Sequence, residues 1–159
     1  MSSGREEESE LRIPARENRA HTRMGKKDKG KVMAKFLYGD LSKQILYYAF
    51  EVHNILGPGL LEKCYQEALC TDLFQAGIPY EKQKKYRLDY KGNNIGEYIA
   101  DIVVDKKIIL ELKSVTTILP IMEAQIINYL RISRCQVGYL INFNKERVEW
   151  KRFVFETLN

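Results

Sequence analysis

Two acidic side chains and a lysine lie in or beside apolar runs, where charged groups are costly. Asp101 lies within the run 99–104, and Glu111-Leu112-Lys113 closes the next apolar run along the chain. Because burying an isolated charge costs several kcal/mol or more, such groups are normally paired, hydrogen-bonded or bound to a metal ion. The residue types therefore indicate a site for a hard cation of the kind that activates water.

The short segment between these two runs is typical of a tight β-hairpin connection. If the connection has three residues centred on Lys106, Asp101 lies opposite Glu111 on one face of the sheet. A two-residue loop would shift the register by one and send one carboxylate to the opposite face. The connection also lacks the glycine that three-residue loops usually carry. A structural carboxylate–lysine pair on a half-exposed sheet is the simpler alternative to a metal site.

The composition is typical of a soluble, single-domain globular protein, with 45% hydrophobic and 30% charged residues among 159. The apolar stretches are too short to span a bilayer, and the first residues lack the apolar core of a signal peptide. We therefore expect no membrane association and a cytoplasmic location. The cysteines form no CxxC pair, which is typical of reduced thiols. The two histidines give no basis for a catalytic triad.

Positive charge is concentrated near the start of the chain. Residues 1–38 hold ten Lys/Arg against six Asp/Glu, whereas residues 39–159 hold sixteen against fifteen. The first segment has few large apolar residues, so it cannot bury enough apolar surface to fold. We expect a disordered basic tail over 1–38 and one folded domain over 39–159. Such a tail can hold nucleic acid non-specifically, although a dispensable extension is the simpler interpretation.

Hydrophobic periodicity after residue 38 predicts three helices and five strands in the order ααβββαββ. Asp40 is the expected N-cap of the first helix, and Pro120 is the expected first-turn residue of the third. Three consecutive strands, a helical crossover and a further strand predict an α/β or α+β fold. We expect a mixed central sheet flanked by helices.

Three further polar residues occupy helix positions from which they can reach a site on the sheet. Glu62 begins the second helix, where an acid that favours the helix dipole is the simpler explanation. Gln125 and Tyr129 are spaced i, i+4 on the third helix, so they share a face. They can hydrogen-bond a phosphate or orient a water, or they can form a polar–aromatic surface pair.

Taken together, the order and spacing of these residues resemble the PD-(D/E)XK nuclease superfamily. Asp101, Glu111-Leu112-Lys113 and the Gln125-x-x-x-Tyr129 element follow a helix that carries a glutamate. The Gln-x-x-x-Tyr element is similar to that of the RecB-like exonuclease branch. The segment 59–65 is similar to the signature of the small prokaryotic GxxExxY proteins, and this likeness extends over roughly 39–155. The chain departs from the superfamily pattern at Ala100, which stands where the superfamily name has proline.

The resemblance implies a restriction-endonuclease-like core and a metal-dependent nuclease. Such an enzyme hydrolyses phosphodiester bonds of nucleic acid by metal-activated water, and we expect DNA as the substrate. We expect Mg²⁺ as the cofactor, with Mn²⁺ as a substitute. The alternative is a non-catalytic module that retains the nuclease fold and binds nucleic acid or protein. In either case a homodimer or a protein partner can assist target choice.

The resemblance also implies roles for individual residues. The metal ligands are expected to be Glu62, Asp101, Glu111 and the backbone carbonyl of Leu112. Lys113 is expected to position or polarise the attacking water and to stabilise developing phosphate charge. Gln125 and Tyr129 are expected to support the phosphate or the water.

Overall fold

The computed structural model describes residues 9–14 and 37–156. Within these ranges there are three helices: α1 Gly39–Leu56, α2 Glu62–Gln75 and α3 Pro120–Ser133. The same ranges contain six strands: β1 Ser9–Pro14, β2 Tyr80–Tyr90, β3 Asn93–Val104, β4 Ile108–Lys113, β5 Val137–Asn142 and β6 Glu149–Glu156. The predicted order ααβββαββ is confirmed from residue 39 onward.

All six strands form one mixed sheet in the spatial order β1-β6-β5-β4-β3-β2. The pairs β4–β5 and β1–β6 are parallel, and the other neighbours are antiparallel. Strands β4 and β5 are parallel because α3 carries the chain back across the sheet between them. The expected α+β fold with a restriction-endonuclease-like core is therefore confirmed.

Helices cover both faces of the sheet and create two hydrophobic cores. Helices α1 and α2 pack on one face, where Ile45 and Leu69 meet Ile108 and Leu110. Helix α3 packs on the other face. At Gly138 an added Cβ would lie 3.0 Å from a side-chain carbon of Ile126, so α3 approaches β5 closely because this residue has no side chain. Strand β4, which carries Glu111, lies between the two cores.

The connection between β3 and β4 has the predicted three residues. Val104 pairs with Ile108, which confirms the register centred on Lys106. The turn needs no glycine because Asp105 and Lys106 themselves adopt left-handed conformations, with φ of 48° and 56°. The Asp105 N–H donates to the Pro79 carbonyl at 2.8 Å, which compensates part of the cost of that conformation.

The structure differs from the sequence-based expectations at two places near the start of the chain. The N-cap of α1 is Tyr38, and Asp40 lies in the first turn, so the predicted cap was wrong by two residues. Strand β1 lies in the segment predicted to be disordered, and that prediction was wrong for Ser9–Pro14. These residues pair in parallel with β6, and backbone pairing of this kind needs no apolar composition. The rest of the predicted tail before residue 37 lies outside the described residues.

None of the helices in the described part of the chain has the length and apolar character needed to cross a membrane.

Candidate active site

The two acidic residues of the hairpin come together at its open end. The β3–β4 ladder runs to Ile102 opposite Leu110, and the next position in this register is Asp101 opposite Glu111. Beyond that point the side chain of Asp101 continues the connection, because the Leu112 N–H donates to Asp101 Oδ2 at 2.8 Å. Asp101 is half-buried, and Glu111 is 6% exposed.

Both carboxyl groups have raised pKa values. Burial, together with the negative charge of Asp101, raises the pKa of Glu111 to about 8, and Lys113 partly opposes this shift. Burial also raises the pKa of Asp101, whereas the hydrogen bond from the Leu112 N–H lowers it. Without a cation, Glu111 therefore holds a proton at neutral pH, because burial and then the nearby charge of Asp101 disfavour its ionised form.

The oxygen atoms of this pair fit a hard divalent cation. Glu111 Oε1 is buried and has no hydrogen-bond partner among the described residues. No three His, Cys, Asp or Glu side chains within 37–156 are close enough together to hold a metal by themselves. Mg²⁺, however, is commonly held by one or two carboxylates with water and substrate oxygens completing the shell. Asp101 and Glu111 supply two carboxylates, and the Leu112 carbonyl is the expected protein ligand beside them.

Glu62 begins α2 and is exposed to solvent. Its charge raises the pKa values of both Asp101 and Glu111, so it contributes to the same electrostatic site. The structure does not join it to them in a three-carboxylate cluster within the described residues. Glu62 therefore lies at the rim of the acid pair.

The loop before Glu62 is fixed at two points. The Tyr65 hydroxyl donates to the Gly57 carbonyl at 2.6 Å and accepts the Leu60 N–H at 3.1 Å. Ser114 Oγ donates to the Leu60 carbonyl at 2.6 Å, which ties the loop to the residue after Lys113. Tyr65 is fully buried, so it is both a core residue and the anchor that sets the start of α2.

Lys113 ends β4 and is half-buried. Its positive charge lowers the pKa values of both Asp101 and Glu111, as expected for an ammonium group that faces them. The chain after Lys113 is held by Asn142, which is fully buried. The Asn142 amide donates to the Val115 carbonyl at 2.8 Å and accepts the Val115 N–H at 3.1 Å.

Helix α3 brings Tyr129 to the acid pair. Burial, then the charges of Glu111 and Asp101, raises the Tyr129 pKa, so its hydroxyl lies in their field. Gln125 lies one helical turn earlier and is exposed. Tyr129 therefore borders the two carboxylates, and Gln125 lies one turn away on the same helix.

Sequence reasoning missed Tyr98. Its ring stacks between Tyr86 and Tyr129, with interplanar angles of 15° and 13°. The hydroxyl is buried and has no hydrogen-bond partner among the described residues. Burial and the nearby charge of Glu111 raise its pKa. A tyrosine in a strand is ordinarily a core residue, so its residue type alone did not indicate a place in the site. Its position three residues before Asp101 on the same strand is the signal that could have identified it.

Two glutamines were missed as well. Gln66 is 6% exposed and lies one turn after Glu62 on the same helix. Gln83 on β2 donates through Nε2 to Gln66 Oε1 at 2.7 Å. The i, i+4 spacing of Glu62 and Gln66 is the sequence signal that could have identified the first of them.

The two carboxyl groups and the lysine lie on the neighbouring strands β3 and β4 of a mixed sheet flanked by helices. The profile of the PD-(D/E)XK nuclease superfamily matches residues 39–153. The chain therefore belongs to the PD-(D/E)XK nuclease superfamily. The match includes all residues predicted for the site.

Comparisons with curated proteins and with solved structures add no further family assignment. No curated protein shows significant similarity to the chain. The crystal structure of SSO0001 is similar, with 20% sequence identity and a TM-score of 0.47. The alignment covers 79% of this chain and 62% of that one. The chain thus spans less than two thirds of the length of that structure.

Proposed function

We propose that this protein is a divalent-metal-dependent nuclease that hydrolyses phosphodiester bonds of DNA. The observation that carries the proposal is Glu111 Oε1, a buried carboxylate oxygen without a partner among the described residues, beside Asp101. Two facing acidic groups at a buried position cost stability, and a divalent cation would displace the proton from Glu111 and neutralise both carboxylates. Membership of a nuclease superfamily supports the same conclusion.

Mg²⁺ is the proposed cofactor and Mn²⁺ its substitute, held by Asp101, Glu111, the Leu112 carbonyl and, from the rim, Glu62. When bound, the cation supplies a Lewis acid that draws charge from the scissile phosphate and makes water more acidic. The Leu112 N–H occupies Asp101 Oδ2, so it orients this carboxylate before any cation arrives.

The remaining residues act on the phosphate and on water. The charge of Lys113 acts on both carboxyl groups, which supports a role for its ammonium group in stabilising the negative charge that develops on the phosphate. Its donors can also orient the attacking water. Tyr129 and Gln125 offer a hydroxyl and an amide on one helix face for hydrogen bonds to phosphate oxygens.

We also propose that the chain is one of the GxxExxY proteins and that it carries a RecB-like Gln-x-x-x-Tyr element. It is supported by the physical role of the spacing between Gly59, Glu62 and Tyr65. Gly59 has φ of 97°, which favours glycine, and Tyr65 anchors the loop that presents Glu62. Each of the three residues thus has a reason to occupy its position.

Calorimetric titration with Mg²⁺ and Mn²⁺ tests the proposal without knowledge of the substrate sequence. The test variant carries Asp101→Asn and Glu111→Gln, and the matched control is Asp105→Asn in the turn of the same hairpin. We expect metal-dependent heat in the wild type and the control but not in the test variant. Cleavage of single- and double-stranded DNA and RNA with each cation should follow the same pattern. Absence of both binding and cleavage in a folded wild type would refute the assignment.

A non-catalytic module that binds nucleic acid or protein is the second candidate. The nearly neutral charge of residues 39–159 favours it, because phosphate-binding surfaces are usually strongly basic. This candidate would be supported if the wild type binds metal and oligonucleotide but does not cleave the oligonucleotide. Asp101→Asn should then change metal binding and leave oligonucleotide binding unchanged.

A further inference from the structure

The pairing of β2 with β3 is interrupted at Gln83 and Asp101. Ladder pairs continue on both sides of this point: Lys82 with Ile102 and Lys84 with Ala100. Gln83 adopts φ of 54° within the strand. A left-handed conformation costs an L-residue with a side chain about 1–2 kcal/mol. A strained residue opposite a candidate catalytic carboxylate indicates a function for the strain.

Strand β3 also changes faces at Asp101. Ile102 packs in the core beneath α1 and α2, whereas Ala100 packs in the core beneath α3. In a regular strand two residues separated by one position share a face. The strand therefore turns over at Asp101, and this irregularity moves its side chain out of the normal alternation.

The side chain of Gln83 is held by a residue of helix α2. Its Nε2 donates to Oε1 of the buried Gln66 at 2.7 Å. Gln83 also lies opposite Asp101, because the ladder pairs on either side keep the same register. Side chains directly opposite each other in an antiparallel pair lie close together, with Cβ atoms about 4.5–5.5 Å apart. Helix α2 thus holds, through Gln66, the side chain of the residue that lies opposite Asp101 in the sheet.

An amide suits this position better than a cationic side chain. A lysine opposite Asp101 would pair with the carboxylate and compete with a metal ion for it. The amide of Gln83 is neutral, so it can orient a carboxylate and leave the negative charge of that carboxylate for the cation. The neighbouring Lys82 and Lys84 are engaged elsewhere, with Glu67 and Glu81 at 2.8 Å each.

We infer that Gln83, held by Gln66, is a positioning residue that fixes the Asp101 carboxylate for cation binding. The inference rests on the proposed function, because it assigns Asp101 a metal. The Leu112 N–H restrains Asp101 Oδ2, and Gln83 lies opposite Asp101 on the β2 side. Supporting residues of this kind typically change metal affinity by about 10–100-fold when they are removed.

The test is calorimetric titration with Mn²⁺ in the presence of a non-cleavable oligonucleotide. Gln83→Gly removes the side chain and keeps a residue that tolerates the left-handed conformation. We expect Mn²⁺ affinity to fall about 10–100-fold. Lys85→Gly, two residues along the same strand, is the control for a glycine in β2 and should keep wild-type affinity. Gln83→Asn, which also tolerates this conformation, replaces the glycine variant if that one does not fold.

A double-mutant cycle separates positioning from general destabilisation. Gln66→Leu should weaken Mn²⁺ binding, and the double variant with Gln83→Gly should be no weaker than Gln83→Gly alone, because Gln66 acts through Gln83. Additive losses would overturn the relay. Wild-type affinity in folded Gln83→Gly would overturn the inference and leave the nuclease assignment intact. Absence of Mn²⁺ binding in the wild type would overturn both.

Discussion

The Leu112 N–H donates a hydrogen bond of 2.8 Å to Asp101 Oδ2 and thereby joins β3 to β4 beyond the end of their backbone ladder. This bond occupies one carboxylate oxygen of Asp101. The carboxyl group is therefore oriented by the fold before a ligand is bound. Asp101 thus has two roles: it accepts this hydrogen bond, which is structural, and we propose that it also binds the metal ion.

Asp101→Asn should separate these two roles. The amide oxygen can still accept the Leu112 N–H, and the substitution removes a buried charge next to Glu111. We expect the free energy of unfolding without metal to change by less than about 1.5 kcal/mol, or to rise. Cleavage and metal binding should be lost. Urea unfolding beside a cleavage assay measures both, and unfolding of the asparagine variant would identify Asp101 as a structural residue.

The raised pKa of Glu111 predicts an unusual pH dependence of the metal-free protein. Between the ordinary value of 4.5 and about 8, the folded state keeps a proton on Glu111 that the unfolded state has released. Because the folded state then binds more protons, its stability must fall as pH rises through this window, by up to about 1.4 kcal/mol per pH unit. Glu111→Gln should remove this contribution, which urea unfolding at pH 5–9 with a chelator can measure.

The control for this experiment is Glu51→Gln, because Glu51 is exposed on α1. It should retain the wild-type pH slope. Equal slopes in all three proteins would show that Glu111 titrates normally. Addition of Mg²⁺ should raise the stability of the wild type most at high pH, where Glu111 would otherwise have to ionise without a partner.

Two buried tyrosines should respond to the same substitution with opposite signs. The Tyr65 hydroxyl makes two hydrogen bonds to the loop before Glu62, so Tyr65→Phe should lower the free energy of unfolding by about 1–3 kcal/mol. Tyr98→Phe removes a buried hydroxyl that has no partner among the described residues, so it should be neutral or stabilising by about 1 kcal/mol. Chemical denaturation of both variants gives the comparison. A large loss in Tyr98→Phe would mean that its hydroxyl has a partner.

Gly138 should tolerate no side chain without cost. An added Cβ would meet side-chain carbons of Ile126 at 3.0 Å and Leu130 at 3.2 Å, so these buried side chains would have to move by a few tenths of an ångström. We expect Gly138→Ala to destabilise the protein by about 1–3 kcal/mol. Gly39→Ala is the control, because no atom lies within 4 Å of a Cβ added there. Thermal unfolding distinguishes them, and equal midpoints would show that the helix is not tightly packed on β5.

The sequence was informative where local patterns determine the structure. The apolar runs and the short connection between them indicated the hairpin in which Val104 pairs with Ile108, and Pro120 marked the first residue of α3. The site around them depends on tertiary packing. Nothing in the local sequence reveals that Gln83 adopts a left-handed conformation and meets Gln66 from another element. Strand β1 was missed for a related reason, since backbone pairing with a distant partner leaves little compositional trace.

The position of β1 at the outer edge of the sheet has a practical consequence. Strands β6 and β5 separate it from β4, which carries Glu111. Three strand spacings of about 4.8 Å place it roughly 14 Å from that strand. A fluorophore attached near Ser9–Pro14 would therefore lie at the outer edge of the sheet, two strands removed from the strand that carries Glu111. It would also lie close enough for distance-dependent quenching by a paramagnetic ion bound at the acid pair.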